Sequence, residues 1–155
     1  MPRIDDLIGK GKYITTIDLM RGYWQVPVAE ASRSKTVFTT PLGLFQFRVM
    51  LFGLHGAPST LQCMMDRLTD GLGDFSRAYL DDLVIYSTSW QEHLEHLRGI
   101  MERLCGAGLT AKSSKCQFGM LHYVYLGHVV GNGIVRPEPS KIESVQSFPI
   151  PQKQV

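Results

Sequence analysis

The sequence predicts an α+β fold, a mostly antiparallel sheet with helices packed on one face. Short β-branched and aromatic runs recur between turn residues, and two longer stretches switch to the helical period. Taken in order, these elements read strand, hairpin, helix, hairpin, helix, hairpin, which is an α+β arrangement.

Residues 13–18, YITTID, read as a strand that ends at an aspartate. In residues 23–28 Pro27 argues against a central strand. Residues 36–40 and 44–49 read as a hairpin, with Pro41, Leu42 and Gly43 supplying the turn. Leu61, Met64, Met65 and Leu68 fall at i, i+3, i+4 and i+7 on one helix face. Pro58 fits the first turn of that helix, and Gly71 and Gly73 close it. Residues 78–80 and 83–86 are apolar strands with Asp81 and Asp82 between them. Ser89 and Glu92 form a capping box, opening a helix with Leu94, Leu97, Met101 and Leu104 on one stripe that stops near Gly106 and Gly108. Residues 122–130 are strand-like, Asn132-Gly133 signals a tight hairpin, and residues 140–146 form a short helical segment.

With 155 residues, 44% hydrophobic and 19% charged, the chain has the make-up of one globular domain or a large piece of a bigger one. A net charge of +2 does not by itself mark a nucleic-acid binder, because phosphate contacts need local clusters. Cys63, Cys105 and Cys116 contain no CxxC pair, which argues against a disulfide framework and for a reducing setting. Two of them fall in apolar helical patterns, where a buried, inert thiol is expected. The first residues lack the apolar run of a signal peptide, and no stretch approaches the roughly 20 apolar residues of a membrane span. The expectation is an intracellular protein, in cytoplasm or nucleus, that is not secreted and has no membrane partner.

Asp81 and Asp82 are adjacent carboxylates flanked by apolar strands. At ~4 Å and an effective dielectric constant of ~20, a like-charge pair costs on the order of 4 kcal/mol. A hairpin turn aimed into water would relieve that cost. Alternatively the pair is held together for divalent cations, since magnesium takes one or two carboxylates together with substrate phosphates. Two such ions can activate an attacking oxygen and stabilise the leaving one, and Asp18 is the candidate third carboxylate.

Tyr79-Leu80-Asp81-Asp82 resembles the Tyr-x-Asp-Asp signature of reverse transcriptases. Residues 15–19, TTIDL, followed by Gly22-Tyr23-Trp24-Gln25, resemble that family's first catalytic block. Phe52-Gly53-Leu54 with Ala57-Pro58-Ser59-Thr60 and Gln62 resembles the block between them. Pro2-Arg3-Ile4-Asp5, Lys35-Thr36-Val37-Phe38, His93-Leu94-Glu95-His96-Leu97, Ala107-Gly108-Leu109, Lys115-Cys116-Gln117-Phe118 and Tyr125-Leu126-Gly127-His128 match the gypsy-like pattern, in order, over nearly the whole chain.

The resemblance implies a right-hand polymerase palm from a retrotransposon or retroviral Pol polyprotein, an RNA-directed DNA polymerase. It implies that Asp18, Asp81 and Asp82 carry two Mg2+ ions, with Mn2+ as the alternative metal, for nucleotide addition to a primer 3′ end. Tyr23 would lie beside the incoming sugar and exclude a 2′-hydroxyl, while Phe52, Gly53 and Pro58 would line the nucleotide pocket and template track. Partners would be an RNA or DNA template with primer and deoxynucleoside triphosphates. Residues 1–148 would be the palm region without the N-terminal part of the fingers, and residues 149–155 the start of a linker to an absent thumb. A palm without the basic residues of the fingers should be a poor polymerase, because phosphoryl transfer depends on positioning and electrostatics. An inactive retroelement remnant that binds nucleic acid or protein, or an incomplete gene model of a longer polyprotein, are the competing readings. Viral RNA-copying polymerases typically carry Gly-Asp-Asp at the signature, which Tyr79 argues against.

This chain departs from the family pattern at Leu51, Gly56 and Leu61, where proline, asparagine and phenylalanine are usual. Cys116, His122 and His128 are ligand types without the close pair of a zinc site, and are expected to belong to a structural hairpin. His93 and His96 are expected on a solvated helix face, and Met50, Met64 and Met65 in the core.

Overall fold

A computed structural model describes residues 11–125, 128–131 and 134–147. Residues 2–5, Leu126-Gly127, the expected Asn132-Gly133 turn and residues 149–155 lie outside the described residues.

Strand β1 (Tyr13–Asp18) leads through a 3-10 turn (Gly22–Gln25) and a single-turn helix α1 (Glu30–Arg33) to the hairpin β2 (Phe38–Thr40) and β3 (Gly43–Phe45). Helix α2 (Ala57–Leu68), the hairpin β4 (Ser76–Tyr79) and β5 (Asp82–Ser87), and helix α3 (Trp90–Gly106) follow. Strands β6 (Gln117–Met120), β7 (Tyr123–Tyr125), β8 (His128–Gly131) and β9 (Ile134–Pro137) precede helix α4 (Pro139–Gln146). The central sheet has the order β4-β5-β1-β6 with antiparallel neighbours, and β2-β3 and β7-β8-β9 form separate sheets.

Side chains alternate across a strand, so β1 and β5 serve two cores. Ile17, Leu83 and Ile85 face the helices and pack with Leu61, Met65 and Leu68 of α2 and with Ile100 and Leu104 of α3. Each such fully buried side chain contributes ~1.5–3 kcal/mol. On the opposite face Ile14, Val84 and Tyr86 meet Val130, with Tyr123 and Val135 beside them. The helices therefore lie on one face, as expected, while the β7-β8-β9 sheet covers part of the other.

Helix α2 buries Ala57, Leu61, Met65 and Leu68 and carries proline in its first turn. Helix α3 opens with the expected capping box, in which Ser89 Oγ accepts from the Glu92 N–H at 3.3 Å and Glu92 Oε2 accepts from the Ser89 N–H at 3.2 Å. It closes with Leu109 N donating to Leu104 O and Gly108 N to Cys105 O, and Gly108 takes φ +67°.

Five expectations are corrected, the first being the single strand read over residues 122–130, which divides into the antiparallel pair β7 and β8. The inner stripe of α3 is His93, Ile100 and Leu104 with Leu97 beside them, whereas Leu94 and Met101 are exposed. His93 is consequently buried rather than solvated. Cys63 and Cys105 are exposed, because their helices turn other residues inward. Strand β3 stops at Phe45: Val28 N donates to Arg48 O and Met50 N to Val26 O, so the chain leaves the hairpin to bridge Pro27 with Val49. Pro27 fits there because its flanking residues supply the bonds.

Candidate active site

Asp18 is the last residue of β1, Asp82 the first of β5, and the two are partners across the antiparallel ladder. Directly opposed residues point to the same face, so the register alone brings these carboxylates together at one end of the sheet. Asp81 precedes Asp82 in the two-residue turn that joins Tyr79 to Asp82.

That turn puts Leu80 at φ +53°, a conformation that glycine takes at no cost and a leucine adopts at a cost of ~1–2 kcal/mol. Helix α2 holds it there. Gln62 Oε1 accepts from the Leu80 N–H at 2.8 Å, and Gln62 Nε2 donates to Ala78 O at 3.1 Å and to Asp66 Oδ1 at 2.8 Å. From the other side the Leu19 N–H donates to Asp81 O at 2.9 Å. Gln25 fixes the segment after Asp18 by donating to Met20 O and Thr110 O and accepting from the Thr110 N–H.

Burial pushes the Asp82 carboxyl above its ordinary range, the negative charges of Asp81 and Asp18 push it further, and Lys115 opposes them. Lys115 Nζ lies 2.8 Å from Asp18 Oδ2. That hydrogen bond and the Asp18 charge hold the ammonium above its usual range, with smaller contributions from Asp81 and Asp82. Thr16, Asp18, Asp82, Lys115, Gln117 and Tyr123 line a cleft of about 390 Å³. A larger groove of about 620 Å³, lined by Cys63, Met64, Arg67 and Ala107 among others, contains none of these carboxylates.

The donor set of Asp18, Asp81 and Asp82 suits a hard divalent cation: carboxylate oxygens with excess negative charge, close enough in space to raise the Asp82 pKa. Among the described residues, no three His, Cys, Asp or Glu side chains form a ready-made metal cluster. Cys116 donates to Lys112 O at 3.3 Å.

The residues expected around a nucleotide are partly brought together. Tyr23, in the 3-10 turn, meets Phe52 edge to face at 5.1 Å between ring centres, and Phe52 is 68% exposed. Gly53 takes φ +91°, and Pro58 is exposed in the first turn of α2.

Sequence reasoning gave no role to Lys115, Gln62 or His93. All three stand inside quoted motifs, but Lys115 and Gln62 meet partners 97 and 18 residues away, and His93 meets Thr15 78 residues away. His93 Nε2 lies 2.7 Å from Thr15 Oγ1 and its Nδ1 2.9 Å from Ser87 Oγ, which ties α3 to both β1 and β5.

The family described as reverse transcriptase (RNA-dependent DNA polymerase) matches residues 3–130. The chain belongs to the reverse transcriptase family. It is 40% identical over 99% of its length to the retrovirus-related Pol polyprotein from transposon 297 of Drosophila melanogaster, and 32% identical over 97% to that from transposon gypsy of the same species. It spans 15% of the length of each polyprotein. The foamy viral protease-reverse transcriptase dRH, solved in complex with double-stranded DNA, shares the fold of this reverse transcriptase palm, with a TM-score of 0.85 and 22% identity. That alignment covers 93% of this chain and 25% of the viral one.

Proposed function

We propose that this palm carries the nucleotidyl-transfer site of an RNA-directed DNA polymerase encoded in a retrotransposon Pol polyprotein. The observation that carries the proposal is the cross-strand pair of Asp18 and Asp82, with Asp81 in the adjoining turn.

Asp18, Asp81 and Asp82 would hold two Mg2+ ions, or Mn2+ in their place. When bound, such ions supply Lewis-acid stabilisation of the attacking and leaving oxygens. The chain's own contribution is placement. The ladder fixes Asp18 against Asp82, and Gln62 fixes the turn that presents Asp81. Tyr23, braced by Phe52, would stand against the sugar of a deoxynucleoside triphosphate and reject a 2′-hydroxyl, while Phe52, Gly53 and Pro58 would line the nucleotide pocket and template track. Template and primer would be RNA or DNA; the foamy viral proteins of the same fold were solved with double-stranded DNA and with an RNA/DNA hybrid.

Primer extension on an RNA template with Mg2+ tests this reading, beside an Asp81→Asn, Asp82→Asn variant. Extension by the wild type that the variant loses supports it. No extension by folded wild-type chain would identify these residues as a non-catalytic remnant or as part of a larger catalytic unit.

A further inference from the structure

We propose that Lys115 is a built-in counter-ion that occupies Asp18 until a divalent cation displaces it, and so weakens metal uptake by the site. The inference rests on the reading of Asp18, Asp81 and Asp82 as metal ligands.

The contact is constructed by the fold. Lys115 ends a short 3-10 turn (Ser113–Lys115) whose backbone is tied to Asp18 itself, because the Lys112 N–H donates to Asp18 O at 2.8 Å. Next to it, Leu19 bridges Ala111 and the Met20 N–H donates to Thr110 O at 2.8 Å. Within the turn the Lys115 N–H donates to Lys112 O and the Cys116 N–H to Ser113 O. This frame delivers the ammonium 2.8 Å from Asp18 Oδ2, at a sequence distance of 97 residues.

The two partners differ in freedom. The Asp18 side chain is 16% exposed and sits at the end of a paired strand, whereas that of Lys115 is 56% exposed. Lysine can therefore swing into water without burying a charge, while the carboxylate stays in place. An incoming cation competes with the ammonium for Asp18 Oδ2 and meets the repulsion of a positive charge already there. Removing that charge should tighten metal binding, by roughly two- to fivefold for one partly solvated ion pair. Arginine keeps the charge and should keep the weaker binding.

The test is titration of the full chain with Mn2+, following free Mn2+ by electron paramagnetic resonance. It compares wild type, Lys115→Met, Lys115→Arg, and Lys115→Met combined with Asp18→Asn, with circular dichroism confirming that each is folded. The expected result is roughly two- to fivefold tighter binding in Lys115→Met, near-wild-type affinity in Lys115→Arg, and loss of the gain in the double variant. Equal or weaker binding in Lys115→Met than in wild type overturns the inference, as does no binding in either. If Mn2+ binding depends on Asp18 but is indifferent to Lys115, only the counter-ion role fails. If the gain survives Asp18→Asn, the reading of Asp18 as a ligand fails with it.

Discussion

Gly22 packs so closely against Asp81 that a methyl group added to it would lie 3.0 Å from the Asp81 β-carbon and 3.4 Å from Leu61 Cδ2. The loop after β1 and the turn before β5 thus touch at a point where a side chain would push the turn aspartate away. Gly22→Ala should destabilise the chain by ~1–3 kcal/mol, the usual cost of overpacking. Primer extension should fall further than the lost folded fraction explains, because Asp81 moves. Gly99→Ala is the control: nothing lies within 4 Å of the added carbon, in a helix interior. It should stabilise by ~0.5–1 kcal/mol. Urea denaturation of both variants gives the signs, and a Gly22→Ala chain of wild-type stability would remove the packing argument.

The hold of Gln62 on the turn gives a second prediction. Gln62→Ala takes the acceptor from the Leu80 N–H and a donor from Ala78 O while Leu80 is left at positive φ. Stability should fall by ~1–3 kcal/mol, the range for leaving such groups unsatisfied. Hydrogen exchange at the Leu80 amide reads the effect locally: its protection should drop more than that of Leu83, inside β5. Equal loss at both positions would mean that the turn is held by the sheet and not by the glutamine.

These contacts mark the boundary of what could be read in the sequence. Local patterning marks β1, β2, β4, β5, both long helices and the capping box, because each depends on neighbours a few residues apart; it does not mark β6 of the central sheet, and it runs β7 and β8 together as one strand. The aspartates were found by the order of motifs, but the pairing of Asp18 with Asp82 is a matter of register between strands 64 positions apart along the chain. On helix α3 the apolar pattern finds Leu97 and Leu104 but points to Leu94 and Met101 where His93 and Ile100 are buried, because Leu94 counts as apolar and His93 as polar. Burial in fact went to the histidine, whose two ring nitrogens find hydroxyls on β1 and β5. The role of Lys115 was hidden for a similar reason: a lysine in a polar loop looks solvated until the fold brings it to Asp18.

The contact between Tyr23 and Phe52 carries a third prediction. An edge-to-face pair contributes ~0.5–1.5 kcal/mol beyond its buried area, so a double-mutant cycle with Tyr23→Ala and Phe52→Ala in urea should return coupling of that size. If Tyr23 acts as the proposed sugar gate, Tyr23→Ala should raise incorporation of ribonucleotides relative to deoxyribonucleotides. Phe52→Ala should do the same to a smaller extent, because it removes the brace and leaves the ring. Unchanged discrimination in Tyr23→Ala would place the gate elsewhere.

The hydrogen bonds around His93 make the stability of the chain depend on pH. The Gly119 N–H donates to Thr15 Oγ1 at 3.1 Å, and Thr15 Oγ1 lies 2.7 Å from His93 Nε2. Ser87 Oγ lies 2.9 Å from His93 Nδ1 and 2.8 Å from His96 Nδ1, so a neutral His93 ring donates through one nitrogen and accepts through the other. The His96 ring stacks on Phe75 at 3.7 Å between ring centres, and Tyr13 and Trp90 flank His93. Among the described residues no carboxylate is hydrogen-bonded to His93, and burial, with His96 adding to it, holds the imidazole below its ordinary value of 6.5. The unfolded chain therefore binds this proton at a higher pH than the folded one. The stability from neutral His93 is fully present above the unfolded pKa and is lost as pH falls from there through the lowered folded value. His93→Gln should cost ~1–3 kcal/mol at neutral pH through its broken hydrogen bonds. It should also flatten the decline in stability between about pH 7 and about pH 5, the window in which a histidine changes charge. Urea midpoints across that window, for wild type and variant, provide the comparison. Two curves that fall in parallel would assign the acid sensitivity to a group other than His93.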